Sequence, residues 1–342
     1  MHRVRDFFHI PVADNDYHPA LRIVLGVGIP LLVLLAADRM DVAVFATLGA
    51  FTGVYGRGLA HRVRFSQQWR AGLMMLAAIT AGLVVSGLGL GYGALVAGTA
   101  VVGALGSAAA RLRRLKPAGS LFFVFGFSVS AFMTPPAAFA EAVGIATATV
   151  VLSLVIGVIG WVVPGHRTPW VRVRPPQLDR EERRAVYVAA LLHLAAIWTA
   201  GTVAGWSGFG RGYWAMVAAS VPLQGAVTGH GVSRGIHRII GTLSGLVLAG
   251  VLLGLDFQGV QFAAVVLLLQ FFVQLFVTRH YALAQTFVTP LALLMTEAVH
   301  PTNPWSLMSE RLVETVIGAS VGIAFVLAME WLRRVRGVGV GL

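Results

Sequence analysis

The stretch PGHRTPWVRVRPPQLDREERR, residues 164–184, is the one substantial polar interval of the chain. Its prolines and charges give it the composition of a linker. On each side the sequence turns apolar at once, with uninterrupted runs at 137–163 and 185–204. Working outward, further runs fall at 20–37, 41–56, 71–88, 91–110 and 119–133 before it, and at 211–227, 236–254, 258–277, 281–297 and 311–331 after it. A hydrocarbon core of about 30 Å asks for roughly 20 apolar residues per helix, and most of these runs meet or approach that. The spacing therefore predicts an all-α polytopic membrane protein of about twelve transmembrane helices, six on each side of the linker.

Composition agrees with that reading. Apolar residues make up 57% of the chain and charged residues 12%, at a mean hydropathy of +0.79. A soluble domain carries about twice that charge. The net charge of +12 would suggest nucleic acid in a soluble protein, but here the basic residues stand between apolar runs instead of interleaving with aromatics, so no nucleic acid partner is expected. There are no cysteines, which excludes disulfides and thiolate metal sites. The opening MHRVRDFFHIPVADNDYHP has too short an apolar run for a cleaved signal peptide; the first spanning helix is expected to serve as an uncleaved anchor.

The arginines predict the orientation. Arg57, Arg62, Arg64 and Arg70 lie in the second connection, Arg111, Arg113, Arg114 and Lys116 in the fourth, and the linker's arginines in the sixth. Arg234 and Arg238 follow in the eighth, Arg279 in the tenth, and Arg333, Arg334 and Arg336 close the chain, whereas the alternate connections hold only Arg39, Arg211 and Arg311. By the positive-inside rule both termini are cytoplasmic and the protein sits in the inner (plasma) membrane. The expected organisation is a cytoplasmic segment 1–19, a first six-helix half 20–163, the linker 164–184, a second half 185–331 and a tail 332–342.

The two halves resemble each other: a short second segment, a basic turn, two long segments, a short fifth and a long sixth. FMTPP at 132–136 and LMTEA at 294–298 end the two fifth segments. Within the second half a finer echo appears, Arg238-x-x-x-Thr242-x-x-Gly245 and Arg311-x-x-x-Thr315-x-x-Gly318. Each is expected to open a long helix after a short one carrying a proline, Pro222 or Pro290, and the arginine topology puts the two on opposite sides of the membrane. A nested three-plus-three inverted repeat would produce that pattern. The first half carries it in degraded form, with Arg70 but no threonine, and Glu141-x-x-Gly144 with no arginine.

Several patterns invite a chemical reading. GHGVSRG at 229–235 has G-x-G-x-x-x-G spacing, follows no soluble strand and precedes no Walker lysine, so a nucleotide loop is not expected. His230, Arg234, His237 and Arg238 share a helical face if the helix starts early, yet no carboxylate accompanies them and no metal or other cofactor is expected. Arg234 and Arg238 are either ordinary cytoplasmic topology residues or groups that draw an anion to the inner mouth. Arg311 is not explained by topology; it either pairs with Glu314 or Glu310 or meets an anion. Thr242 and Thr315 can bond back to their own helix. Gly241 with Gly245, and Gly318 with Gly322, are G-x-x-x-G pairs suited to helix packing, which leaves a homodimer open.

The short segments two, five, eight and eleven point to a midplane substrate site, because broken helices offer free amides and dipoles there. They nominate Tyr213, Trp214, Gln224, Gln285 and Thr289 beside the two prolines, with an interfacial aromatic belt as the other reading of Tyr213 and Trp214. Glu141, Glu314, Glu330 and Asp256 are candidates for proton coupling, and Glu141 and Glu314 take similar places in the two halves. No Ser/His/Asp set or carboxylate pair emerges, so an enzyme is not expected.

GYWAMVAASVPLQG (212–225), RGIHRIIGTLSGLVLAG (234–250) and RLVETVIGASVG (311–322) resemble the integral membrane domain of the fusaric acid resistance protein family, the aromatic acid exporters. Plant aluminium-activated malate transporters are similar at the same motifs. The resemblance spans about 185–331 and is weaker over 20–163. It implies export of small organic anions, typically fusaric acid and hydroxybenzoates, with proton-motive force as the energy source. It carries over to Tyr213, Trp214, Arg238, Gly241, Thr242, Gly245, Arg311, Thr315 and Gly318. Many members carry a sizeable cytosolic domain between or after the halves, where this chain has a linker of about twenty residues and a short tail.

Three functions follow for testing. The first is an exporter of small, aromatic carboxylates, in which Tyr213, Trp214, Gln224, Arg234, Arg238, Thr242, Gln285, Arg311 and Thr315 handle substrate and Glu141 or Glu314 the proton. The second is a passive organic-anion channel. The third is a membrane assembly protein that uses its glycine faces and basic linker for partners or anionic lipid.

Overall fold

A computed structural model describes residues 17–133, 139–162, 167–171, 177–208, 212–226, 229–255, 257–299 and 302–335. These residues form twelve α-helices and no strand. In chain order they are α1 (Tyr17–Ala36), α2 (Ala43–Ala50), α3 (His61–Gly87), α4 (Tyr92–Leu112), α5 (Leu121–Phe132) and α6 (Phe139–Ile159). After the linker come α7 (Arg180–Trp206), α8 (Tyr213–Ala226), α9 (Gly231–Leu253), α10 (Gly259–Phe276), α11 (Tyr281–Val299) and α12 (Pro304–Val335). Each apolar run of the sequence corresponds to one helix.

Eight of the twelve are long and apolar enough to cross a membrane. The four others are α2, α5, α8 and α11, the second and fifth helices of each half. At about 1.5 Å per residue, the 8 residues of α2, the 12 of α5 and the 14 of α8 are well short of the ~30 Å hydrocarbon core. The 19 residues of α11 are long enough but carry Gln285, Thr286, Thr289, Pro290, Thr296 and Glu297. The expectation of twelve spanning helices thus becomes eight candidate spans and four shorter or more polar helices. Many large apolar side chains face outward, among them Leu25 and Val33 on α1, Leu191 on α7, and Val247 and Val251 on α9. An outer surface of that kind suits lipid, and the chain is a multi-pass membrane protein.

Several arginines expected in turns lie inside helices. Helix α3 begins at His61, so Arg62, Arg64 and Arg70 belong to its body; α7 takes in Arg180, Arg183 and Arg184, and α9 takes in Arg234. Arg238 and Arg311 do not open their helices: each stands seven residues past the start, 231 to 238 and 304 to 311. Local chemistry accounts for one of these early starts. Pro304 brings the φ a first helical residue needs, and the Asn303 side chain accepts the Trp305 N–H at 2.9 Å. Helix α7 starts early for a similar reason, with Asp179 and Glu182 forming a reciprocal capping box. Arg211 and Asp256 lie outside the described residues, as do most of the FMTPP residues.

The chain forms two compact units, each drawing on both sides of the linker. The first holds α1, α2, the start of α3, α6, α9 from His237, α10, α11 and the start of α12; the second holds the rest. In the first unit Leu31, Ala43, Phe262, Ala263, Val266, Leu269 and Leu294 form a core. In the second, Ala196, Leu223 and Val326 do so.

Glycines set how the short helices are crossed. In the first unit a Cβ at Gly49 of α2 would fall on the Ala146 carbonyl oxygen of α6, and one at Gly241 of α9 on that of Ala282 in α11. In the second unit, a Cβ at Gly82 of α3 would strike the Phe127 oxygen of α5, and one at Gly318 of α12 the Ala215 oxygen of α8. Gly245 and Gly322 extend the α9 and α12 crossings by one turn, against Thr286 with Thr289 and against Ala219 with Pro222. Backbones this close exclude any side chain at the crossing. In each half the second helix meets the sixth and the fifth meets the third.

Candidate functional site

In the first unit the α9–α11 crossing assembles a buried polar cluster. With Gly241 and Gly245 holding the backbones together, Arg238 and Thr242 on α9 are brought against Tyr281, Gln285 and Thr289 on α11. Both sets follow the four-residue spacing that lines one helical face. Arg238, Thr242, Gln285 and Thr289 are all buried. The Arg238 Nη1 donates to Gln285 Oε1 at 3.0 Å and to the Tyr281 hydroxyl at 3.2 Å. Gln285 Nε2 turns the other way, donating to Thr289 Oγ1 at 3.2 Å and reaching Thr242 Oγ1 at 3.4 Å. The Thr289 hydroxyl donates to its own helix at the Gln285 carbonyl, 3.0 Å away.

The cluster is unbalanced in charge. Among the described residues no carboxylate pairs with Arg238, and its Nε is buried without a hydrogen bond. A guanidinium offers five donors in a fixed fork, and here neutral oxygens meet one arm of it. Such a group suits an incoming carboxylate, which fits the fork bidentately. Beside it, the rings of His237 and His280 lie 4.8 Å apart.

In the second unit the expected residues Tyr213, Trp214 and Glu314 come together. Glu314 is fully buried and is the only buried carboxylate among the described residues. Its Oε2 accepts the Trp214 backbone N–H at 3.1 Å. Trp214 is in the first turn of α8, where N–H groups lack partners within the helix and the dipole favours negative charge. Tyr213 and Trp214 are themselves buried, 8% and 3% exposed, so neither stands in an exposed interfacial belt. They belong to an aromatic chain in which Trp214 meets Phe125 at 5.5 Å, Tyr213 meets Phe132 at 5.6 Å, and Phe132 meets Tyr92 at 5.8 Å. The Tyr92 hydroxyl donates to the Gly201 carbonyl at 2.7 Å.

The remaining sequence candidates are distributed as follows. Arg311 is wholly buried, as is Thr315, whose Oγ1 has no hydrogen bond. Arg234 packs its stem on Gly225, and Gln224 packs against Gly119. Glu141 is partly exposed and ion-paired with Arg39, which also grips Asp41 through two hydrogen bonds of 3.0 and 3.2 Å. The hydrogen bond from Arg39 holds the Asp41 carboxyl below its ordinary range, and Glu141 first, then Asp41, raises the Arg39 guanidinium further. The two carboxylates that hold similar places in the halves therefore have opposite environments. Tyr281 went unmarked in the sequence, although its place four residues before Gln285 puts it on the same face.

The comparisons bear on the second half. Residues 196–325 match the family model described as fusaric acid resistance protein-like. The chain is 32% identical over 139 residues to the uncharacterized membrane protein YvaC of Bacillus subtilis strain 168, a match covering 40% of this chain and 22% of that protein. The chain thus corresponds to under a quarter of that relative's length. No solved structure matches.

Proposed function

We propose that the chain is an exporter of small organic, aromatic carboxylate anions in the inner membrane, with both termini cytoplasmic. The observation that carries this reading is Arg238: a buried guanidinium fixed by Gln285 and Tyr281, with no carboxylate on it among the described residues and a buried Nε left to donate. A fixed cation at membrane depth is costly unless something anionic meets it. The match of residues 196–325 to the fusaric acid resistance protein-like family supports transport as the activity.

Glu314 is the proposed proton carrier. Its neutral and charged forms both accept the Trp214 amide, so protonation changes the charge beside Trp214 without unfastening α8. The four glycine crossings fit a three-plus-three inverted repeat in each half, and the shorter or proline-bearing helices α2, α5, α8 and α11 take the places that such folds use for the substrate site. Substrate occupies the Arg238 cluster, and the carrier alternates by rocking about these crossings.

Efflux of a radiolabelled aromatic acid from cells lacking their own exporters tests the reading. Arg238→Ala should abolish efflux while the protein remains in the membrane, and unchanged efflux removes Arg238 from the site. Current that flows without a proton gradient and survives an uncoupler would replace the carrier by an anion channel.

A further inference from the structure

In the first unit, α6 ends and α3 begins at one place, and both helices are candidate spans. Residues 167–171 are fastened there to the first turn of α3 by Thr168. Its Oγ1 accepts the His61 backbone N–H at 3.1 Å and lies 2.9 Å from the ring Nδ1 of the same residue. Two further bonds join the segment to the residues just after α6: Trp161 Nε1 donates to the Thr168 carbonyl at 3.2 Å, and Arg167 Nε donates to the Trp161 carbonyl at 3.1 Å. These bonds fix where the side chains of the segment stand.

They present two tryptophans, each with an arginine over it. The rings of Trp161 and Trp170 meet at 5.4 Å. Arg62 Cζ lies 5.4 Å from the centre of the Trp170 ring, and Arg167 Cζ lies 5.4 Å from that of Trp161. A contact of this kind attracts the cation without using its N–H donors. Among the described residues Arg62 makes no hydrogen bond and Arg167 only the one at Nε, so most of both forks is left to donate. Nothing nearby neutralises them: no Asp or Glu occurs at 42–140 or 142–178, and among the described residues no carboxylate pairs with either arginine. The surface around the two cations is apolar, with Trp170 46% exposed, Val171 61% and Val162 66%. Fixed cations among exposed tryptophan and valine at the ends of two spans suit the headgroup zone, where phosphates stand over acyl chains.

We propose that this surface binds an anionic phospholipid of the phosphatidylglycerol class, with Arg62 and Arg167 donating to its phosphodiester and Trp170, Val171 and Val162 resting on its glycerol and upper acyl chain. Guanidinium groups pair with phosphate oxygens through parallel N–H bonds. Tryptophan rings would also suit the choline of a zwitterionic lipid, but here guanidinium groups already lie over them and repel a second cation. The lipid preferred is therefore the one with net negative charge. This site is separate from the Arg238 cluster and depends on no transport activity.

Tryptophan fluorescence in nanodiscs tests this directly. The full-length protein is placed in phosphatidylcholine discs doped with phosphatidylglycerol or phosphatidylcholine whose acyl chains carry bromine, a contact quencher. The wild type should be quenched more by brominated phosphatidylglycerol, and Trp170→Phe should remove most of that excess. Arg62→Gln and Arg167→Gln should each lower the preference for phosphatidylglycerol about fivefold. Arg113→Gln, the same loss of charge at an exposed arginine after α4, should leave it unchanged. Equal quenching of the wild type by the two lipids would overturn the proposal, as would an excess that survives in Trp170→Phe or in the Arg62→Gln, Arg167→Gln double variant. A loss as large in Arg113→Gln would mean general attraction of charge, and competition by soluble glycerol phosphate would mean a free-phosphate site; either result overturns it too. Because the readout is lipid contact, a failed efflux assay leaves this result standing, and the reverse also holds.

Discussion

Gln285 holds Arg238 by its amide oxygen at 3.0 Å and points its amide nitrogen at Thr289, 3.2 Å away. One neutral side chain thereby positions a buried cation without cancelling its charge. A carboxylate at the same place would position it equally well and neutralise it.

That difference makes Gln285→Glu the sharpest variant of the cluster. It is nearly isosteric, retains an acceptor for Arg238, and supplies a permanent competitor for the substrate's carboxylate. Efflux of aromatic acid should drop at least about tenfold, the factor that about 1.4 kcal/mol of lost binding gives, with membrane levels unchanged. Wild-type efflux in this variant would show that the charge on Arg238 is not what binds substrate.

For Glu314, the matching variant is Gln. Its amide oxygen can still accept the Trp214 N–H, so α8 stays fastened and the fold survives, but the side chain no longer carries a proton. In proteoliposomes, substrate accumulation driven by a pH gradient should vanish while exchange of labelled for unlabelled substrate continues. Gradient-driven accumulation at the wild-type level would take the proton away from Glu314.

The glycine crossings predict a stability pattern. Alanine at Gly241, Gly82 or Gly318 sets a methyl on a carbonyl oxygen of the neighbouring helix, and overpacking of that kind typically costs about 1–3 kcal/mol. Alanine at Gly87 or Gly144 meets nothing within 4 Å and should melt as the wild type does. Equal melting of the two groups would argue against close crossing of these helices.

Glu141 should behave unlike Glu314. Its partner Arg39 keeps a second carboxylate in Asp41, and all three are at least partly exposed, where ion pairs contribute little. Glu141→Gln is expected to leave gradient-driven transport and the unfolding midpoint as they are. The Arg39–Asp41 pair has a definite sign in pH: with the Asp41 carboxyl lowered, the pair persists above the ordinary carboxylate range and is lost only as pH falls through the lowered value. A loss of transport in Glu141→Gln would restore it as a coupling residue.

Much of the candidate site was legible. Gln285, Thr242 and Arg238 stood out as polar residues in apolar runs, and their four-residue spacings marked shared faces. The environments were not legible. Glu141 and Glu314 take like places in the two halves, yet the first meets Arg39, which precedes it by about a hundred residues, and the second is enclosed beside Trp214. The arginine topology was blurred in a similar way, because α3, α7 and α9 start earlier than hydropathy indicates. The first turn of a membrane helix can stand in polar surroundings and carry arginines, so a helix start need not coincide with the start of an apolar run.

The sequence alone determined the number of helices, their all-α character, and the short or proline-bearing second and fifth members of each half. It could do so because burial in hydrocarbon is a local requirement: each segment must satisfy its own backbone hydrogen bonds, and its length and hydropathy are written in consecutive residues. Only the tertiary structure decided that Arg238 meets Tyr281 and Gln285 and that Glu314 meets the α8 amide at Trp214. Those meetings depend on which helices cross and at which glycine, and the residues involved are separated by tens to a hundred positions along the chain.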